Sequence, residues 1–279
     1  MPLCLKFNDT QFTKNDLRKI LLQEKRKVRP IKIILIVIWV ILLVLSLSLL
    51  SILASLLAGY PQVQSISSLT WAGYIIEKNS NSRFEVTAVN ASWIVPNVNV
   101  TEGGGYSSAW IGIGGQLDKT LIQVGTEQDV TSGQGSYYAW YELLPSFAVR
   151  LTDLIVAPGN TMIASINLIN SDSNLWNIKM SDVTTGQAFN SNVVYNSARS
   201  SGEWIVERPT VINQTGSLAD FGTIMFTGCH VNVNYAAGPI TQFSFSKIQM
   251  ANNLNSELAS TSDPTDDGTA FTVSYIAGM

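Results

Sequence analysis

The sequence contains only two cysteines and one histidine among 279 residues. Cys4 and Cys229 lie on opposite sides of a long apolar segment, so we expect no intrachain disulfide. One histidine is too few for the usual Cys/His zinc sites. A Ser-His-Asp triad would have to use His230, and no Gly-x-Ser-x-Gly motif accompanies it. Cys229 and His230 are adjacent, and adjacent strand residues face opposite ways, so a catalytic dyad is not expected either. We therefore expect no metal and no cofactor.

Charged residues are also scarce, at 13% of the chain, and they are distributed unevenly. Residues 1–58 carry a net charge of +6, whereas residues 59–279 carry −9. Nucleic-acid binding requires a basic face, which the acidic part lacks, so nucleic acid is not an expected partner. An acidic domain suits an acidic medium because carboxylates lose charge as the pH falls. Ordinary solubility explains the same composition equally well.

One long apolar run, Ile33 to Leu57, has no charge and is long enough to cross a bilayer. It exceeds the 7–15 residues typical of a secretory signal, which favours an uncleaved signal-anchor, although the small residues Ala54, Ala58 and Gly59 leave cleavage open. Basic residues cluster just before the run, so the positive-inside rule predicts a cytoplasmic tail at 1–30, a transmembrane helix at 31–58 and a domain outside the cell. Residues 16–27 are either a helix lying against anionic lipid or a solvated tail.

The remaining chain predicts an all-β domain over residues 71–279, joined to the membrane by a Ser-rich linker at 59–70. Short β-rich runs alternate with clusters of Gly, Pro, Asn, Asp and Ser, which is typical of a sandwich or jelly roll. The weak helical spacing near Ile248 to Leu258 is the one exception. Three Asn-x-Ser/Thr sequons, at Asn90, Asn99 and Asn213, are candidate glycosylation sites.

Three of these predicted strands carry polar groups that a plain core would not need. Gln123 lies mid-strand, Trp140 and Glu142 share one face of a second strand, and Glu203 lies on an otherwise apolar third strand. Buried polar groups cost free energy unless they find partners. A carboxyl group among apolar neighbours resists ionisation and can act as a general acid. For Glu203 taken alone, a solvated surface carboxylate remains an open alternative.

Eight segments, taken together and in order, resemble the glutamic peptidases, or eqolisins, which are acid endopeptidases. The matching segments start at Trp71 and end at Gly222, and the resemblance covers nearly all of residues 70–279. They are Trp71-Ala72-Gly73, Trp93-Ile94-Val95-Pro96, Ser108-Ala109-Trp110-Ile111-Gly112, Leu121-Ile122-Gln123-Val124-Gly125, Tyr138-Ala139-Trp140-Tyr141-Glu142, Thr184-Thr185-Gly186-Gln187, Gly202-Glu203-Trp204-Ile205-Val206-Glu207-Arg208-Pro209 and Ala219-Asp220-Phe221-Gly222.

The resemblance implies a sandwich of two curved antiparallel sheets with a catalytic Gln and Glu on a concave face. It places that pair at Gln123 and Glu203. Glu203 is expected to act as general base toward a water and then as general acid toward the leaving amine. Gln123 is expected to hold the water and to donate to the oxyanion. Trp110, Trp140 and Glu142 are expected to line the cleft, and proteins or peptides are the expected substrates.

The chain also departs from the family pattern at two positions. Gly114 stands where the family commonly has Asp, and Glu127 stands where it often has Asp. The main alternative function is a non-catalytic, lectin-like module that binds carbohydrate or protein on an aromatic concave face. The presence of both Gln123 and Glu203 favours the peptidase, because a lectin needs neither residue.

Overall fold

The structure is a computed structural model that describes residues 14–58, 63–78, 83–101, 103–116, 118–211 and 214–278. The chain divides into two compact units, residues 1–60 and 61–279. The described part of the first unit is one helix, α1 (Lys14–Ala58). It contains the predicted span and also residues 16–27. Ile34–Ser51 is long and apolar enough to cross a membrane, with a mean hydropathy of 3.0.

The second unit is built from strands, which confirms the all-β prediction. The strands are β1 (Val63–Ser68), β2 (Trp71–Glu77), β3 (Val86–Ile94), β4 (Ser108–Gly114), β5 (Leu121–Thr131), β6 (Gln134–Leu143), β7 (Val149–Arg150), β8 (Thr161–Asn170), β9 (Leu175–Asp182), β10 (Ala188–Val194), β11 (Ser201–Glu207), β12 (Thr210–Val211), β13 (Gln214–Thr215), β14 (Thr223–Val233), β15 (Ala236–Pro239), β16 (Phe245–Ala251), β17 (Glu257–Thr261) and β18 (Phe271–Tyr275), with a 3₁₀ turn at Ile240–Gln242.

The strands form a continuous hydrogen-bonded path in the order β10-β9-β8-β3-β14-β18-β17-β16-β2-β11-β4-β5-β6-β7. The path folds back on itself, so that β3 and β8 pack across the core against β4, β5 and β11. The result is two layers with strands joining them at one edge, in agreement with the predicted sandwich. Pairing along the path is antiparallel, whereas β1 pairs with β16 in parallel.

Two segments differ from the sequence predictions. The predicted linker at 59–70 contains β1, which adds to the sheet through the register Val63↔Phe245 to Ser68↔Met250. The helical spacing near Ile248 to Leu258 belongs instead to a hairpin of β16 and β17. Apolar residues of β16 and of the turn after it happen to be spaced three or four apart, as in a helix. Pairing of β16 with β2, which is distant in the chain, makes this segment a strand instead.

The central strands β4, β5 and β11 are buried on both faces over most of their length, although β5 and β11 carry polar residues among the apolar ones. One face contributes residues such as Ile111, Val124 and Trp204 to the large core between the layers. The opposite face carries a smaller cluster of Ile75, Trp110, Leu121, Trp140, Ile205 and Ile248. This smaller cluster is the floor on which the candidate site is built.

Candidate active site

A cleft with a volume of about 610 Å³ lies over β4, β5, β6 and β11. Four carboxyl groups line it, from Glu127, Asp129, Glu142 and Glu207, together with the amide of Gln123. No lysine, arginine or histidine is among the residues that line this cleft. The volume of this carboxyl-rich cleft lies within the range of ligand-binding pockets, about 300–1,000 Å³.

Gln123 lies in the middle of β5, opposite Glu142 on β6. Its Nε2 donates a hydrogen bond to Oε2 of Glu142 at 2.5 Å. Its Oε1 is buried and has no hydrogen-bond partner. Burial raises the pKa of Glu142, and the hydrogen bond from Gln123 opposes that shift. Glu142 therefore orients the amide, and the amide oxygen has no partner among the described residues.

Glu207 is the last residue of β11 and lines the same cleft as Gln123. Its Oε2 accepts a hydrogen bond from Nε1 of Trp110 at 2.8 Å. Burial raises the pKa of Glu207 to about 7; hydrogen bonds from Trp110 and Trp71 lower it, and the charge of Glu142 raises it. The ring centroids of Trp71 and Trp110 are 5.2 Å apart in an edge-to-face contact, which fixes both indoles. The carboxyl of Glu207 is thus held by Trp110, and its pKa depends on the charge of Glu142, which is the hydrogen-bond partner of Gln123.

Glu127 lies in the same row of the sheet as Glu207, two strands away across Ser108. Its carboxyl contacts that of Asp129, two residues along the same face. Burial raises the pKa of both groups, and the negative charge of Asp129 raises that of Glu127 further. Two carboxyls in contact share a proton, because like charges at this distance cannot both ionise.

The structure places Glu203 apart from this cleft. Glu203 is 0% exposed and is not among the residues that line the cleft. In the sheet it lies opposite Ile75 and Gly112, and Gly112 separates it from Gln123. A Cβ at Gly112 would lie 2.8 Å from the Trp110 ring and 2.9 Å from a methyl group of Leu121. These two side chains therefore close over Gly112.

The environment of Glu203 differs from that of Glu207 in the same strand. Neither carboxyl oxygen of Glu203 has a hydrogen-bond partner at normal distance. Burial raises its pKa well above the usual range, an interaction with Ser201 offsets part of this, and the charges of Asp118 and Glu77 raise the pKa further. The expectation that Gln123 and Glu203 face one water does not agree with this arrangement. The β-strand period puts Glu203 and Glu207 on one face, and only the position of the apolar cluster distinguishes them.

The remaining predicted lining residues are placed as follows. Trp140 and Glu142 line the cleft, whereas Trp110 is fully buried beneath it and contacts Glu207 through its indole N–H. Gly114 has a φ of +92°, and a Cβ there would lie 2.4 Å from the carbonyl oxygen of Thr120. An aspartate is therefore strained at this position, which gives a physical reason for the departure from the family pattern.

Other candidate groups lie elsewhere in the described residues. Cys229 is buried and free, and burial raises the pKa of its thiol, while His230 is exposed.

Two of the three candidate glycosylation asparagines use their side-chain amides within the fold. Nδ2 of Asn90 donates to the carbonyl oxygen of Gly228, and Nδ2 of Asn99 donates to Asp220. The third sequon, at Asn213, lies outside the described residues. Across the described ranges, no group of three His, Cys, Asp or Glu side chains has the arrangement of a metal site.

Comparison with known proteins shows that this chain is similar to peptidases. The model of the Peptidase A4 family matches residues 69–275. Aspergillopepsin-2 of Aspergillus niger is 29% identical over 184 residues, which cover 57% of this chain and 63% of that relative. Scytalidopepsin B of Scytalidium lignicola is 24% identical over 220 residues, covering 74% of this chain and 77% of that relative. The chain thus spans just under two thirds of the length of the first of these relatives.

Solved structures show the same fold. The crystal structure of scytalido-glutamic peptidase with a transition-state analogue inhibitor superposes with a TM-score of 0.63 at 22% identity, covering 75% of this chain and 99% of that chain. The crystal structure of aspergilloglutamic peptidase from Aspergillus niger gives a TM-score of 0.55 at 25% identity, covering 62% and 99%. The two-layered β architecture is therefore shared with glutamic peptidases.

Proposed function

The chain belongs to the Peptidase A4 family, and we propose that it is a glutamic-type endopeptidase in which Gln123 and Glu207 activate a water molecule. The observation that supports this pair is that both residues line one cleft and are linked by Glu142. Glu142 accepts a hydrogen bond from Gln123, and its charge acts on Glu207. In this proposal Glu207 takes the catalytic role that the family resemblance implies for Glu203.

In the proposed reaction, ionised Glu207 removes a proton from a water that Oε1 of Gln123 also holds. The water oxygen attacks the peptide carbonyl, and the Nε2–H of Gln123 that does not bond Glu142 donates to the oxyanion. The C–N bond then breaks as Glu207 returns its proton to the leaving amine, which leaves a carboxylic acid and an amine. Donors aimed at an oxyanion contribute about 3–4 kcal/mol to such reactions. Positioned proton transfer contributes roughly 10²–10⁴-fold.

The pKa of Glu207 sets the pH range of this proposal. A pKa of about 7 means that the ionised base becomes tenfold rarer with each pH unit below 7. The acidic composition is compatible with action in acid, whereas the environment of Glu207 predicts activity that extends to near-neutral pH. The buried carboxyls favour the folded state at acid pH, so a loss of stability limits activity on the alkaline side.

Two variants in one strand test the catalytic assignment with the same chemical change. Glu207→Gln and Glu203→Gln are compared in the full chain, solubilised in detergent, by cleavage of a denatured protein and of a fluorogenic peptide. We expect Glu207→Gln to lose 10²-fold or more of kcat/KM, and Glu203→Gln to keep turnover at pH 5–6. Loss of turnover in folded Glu203→Gln, with turnover retained in Glu207→Gln, would restore Glu203 as the base. Sugar binding without any proteolysis in the wild-type protein would support the lectin-like alternative instead.

We further propose that α1 anchors the protein in the cell membrane, with the β domain outside the cell. The apolar segment Ile34–Ser51 supports this, as do the five bases between Lys25 and Lys32 and their absence from Ile33 to Glu77. Resistance of the protein to carbonate extraction, combined with digestion of the β domain by protease added to intact cells, is the expected result. A soluble protein that begins near Gly59 would show that the segment is a cleaved signal.

A further inference from the structure

Arg150 lies at the rim of the candidate cleft, on its outermost strand. In β7 it pairs with Trp140 of β6, and Trp140 pairs in turn with Gly125 of β5. Directly paired residues of antiparallel strands point to the same face. Arg150 therefore lies on the same face of the sheet as Trp140, which lines the cleft.

The guanidinium of Arg150 is held in place by an aromatic ring. Its central carbon lies 4.4 Å from the centroid of the Tyr138 ring, which is a cation–π contact. Tyr138 lines the cleft on one side and a second cavity, of about 350 Å³, on the other. Arg150 lines that second cavity and is the one charged side chain among the described residues that line it. The cavity therefore adjoins the cleft at Tyr138 and has the positive charge of Arg150 in its lining.

Among the described residues, no carboxylate forms a salt bridge with this positive charge. The salt bridges formed by described residues are Arg83–Glu85 and Lys247–Asp263, and Arg150 takes part in neither. The charges of Glu127, Asp129 and Arg150 all act on Tyr138, yet the two acids contact each other rather than the arginine. An exposed guanidinium, held by an aromatic ring beside a cavity, has its planar set of donors free for a carboxylate.

We propose that Arg150 is a specificity-determining residue, which binds a carboxylate of the peptide substrate in the cavity next to Tyr138. This inference rests on the proposed peptidase function and adds a substrate preference to it. The carboxylate is either the side chain of an acidic residue a few positions from the cleaved bond or the C-terminal carboxylate of a short peptide. Both present the same planar pair of oxygens to the guanidinium.

Matched peptides measure this preference. Peptides capped at both ends carry a single Glu at each position in turn, and each has a twin with Gln at that position. A third set of peptides contains Gln and no Glu, and each sequence is made once with a free C-terminus and once with an amidated C-terminus. The ratio of kcat/KM for the carboxylate peptide to that for its amide twin is measured at pH 6, where a glutamate side chain is ionised. We expect a ratio of about two to five for one position or for the free terminus, in the range of exposed ion pairs.

The variants separate Arg150 from the overall charge of the protein. Arg150→Gln is expected to bring the ratio to about one, mainly through KM. Arg150→Lys is expected to give an intermediate ratio, because it keeps the charge and loses the planar donors. The matched control Arg83→Gln removes the same charge from an arginine that already pairs with Glu85, and it should keep the wild-type ratio. At pH 3 the wild-type ratio should also approach one, because the substrate carboxyl is then protonated.

The result at each peptide position decides the proposal. A ratio that depends on Arg150 at an internal position identifies an acidic side chain, and one confined to the free terminus identifies a C-terminal carboxylate. A wild-type ratio of one throughout, or a ratio unchanged in folded Arg150→Gln, overturns the proposal. Binding of the same labelled peptides to Glu207→Gln, followed by fluorescence anisotropy, gives a readout without turnover. Absence of cleavage by the wild-type protein would then count against the peptidase function, while the binding ratio still tests Arg150.

Discussion

Glu203 is predicted to make the stability of the β domain strongly dependent on pH. Its carboxyl is completely buried, and burial raises its pKa well above 4.5. Because the folded-state pKa lies above the unfolded-state value, the unfolded chain releases this proton first as the pH rises. The stabilisation contributed by protonated Glu203 is complete below about pH 4.5 and is lost as the pH rises toward the folded-state pKa. Glu203→Gln removes the titration and keeps a side chain of similar size.

The magnitude follows from the single proton involved. Within that window, Glu203 lowers the free energy of unfolding by about 1.4 kcal/mol for each pH unit. Glu203→Gln should therefore reduce the slope of unfolding free energy against pH by about 1.4 kcal/mol per unit. A buried amide without partners costs about 1–3 kcal/mol at every pH. The variant should thus be no more stable than the wild type at pH 4, and it should gain on the wild type as the pH rises.

Urea unfolding of the full chain in detergent, followed by tryptophan fluorescence between pH 4 and pH 8, measures this slope. Six of the seven tryptophans lie in the β domain, so the signal reports that domain. Glu257→Gln is the matched control, because Glu257 is exposed at the start of β17 and the change should leave the slope as it is. An unchanged slope in Glu203→Gln would show that the fold does not hold this carboxyl protonated, and the reasoning from burial would fail.

Three further predictions concern the cleft and its floor. Glu142→Gln removes a charge that raises the pKa of Glu207, so the acid limb of the kcat/KM–pH profile should move to lower pH; an unmoved limb would show that Glu142 does not act on the base. Gln123→Ala should lose about 10²–10³-fold of kcat with the circular-dichroism spectrum unchanged, and full activity would remove Gln123 from the mechanism. Gly112→Ala should destabilise the domain by about 1–3 kcal/mol in urea unfolding, because its Cβ would lie 2.8 Å from the Trp110 ring; wild-type stability would show that the floor is not tightly packed.

The sequence was sufficient for the fold class because local patterns carry that information. Alternating strands bounded by turn residues predicted the all-β domain, and the segments quoted above placed it among glutamic peptidases. Hydropathy alone located the apolar segment within α1. Local patterns did not predict the strand β1 within the linker, or the β16–β17 hairpin in place of a helix. Both depend on pairing with strands that are distant in the chain.

The candidate site was only partly predictable for a related reason. Side chains alternate between the two faces of a strand, which puts Glu203 and Glu207 on the same face of β11. This alternation does not show which of the two is the catalytic residue. Only the tertiary structure covers Glu203 with an apolar cluster and leaves Glu207 in the cleft, hydrogen-bonded to Trp110. The sequence determined which chemical groups the chain carries and the strands that hold them. Packing between strands distant in the chain decided which of those groups meets water, because the exposure of a side chain depends on neighbours that no local pattern specifies.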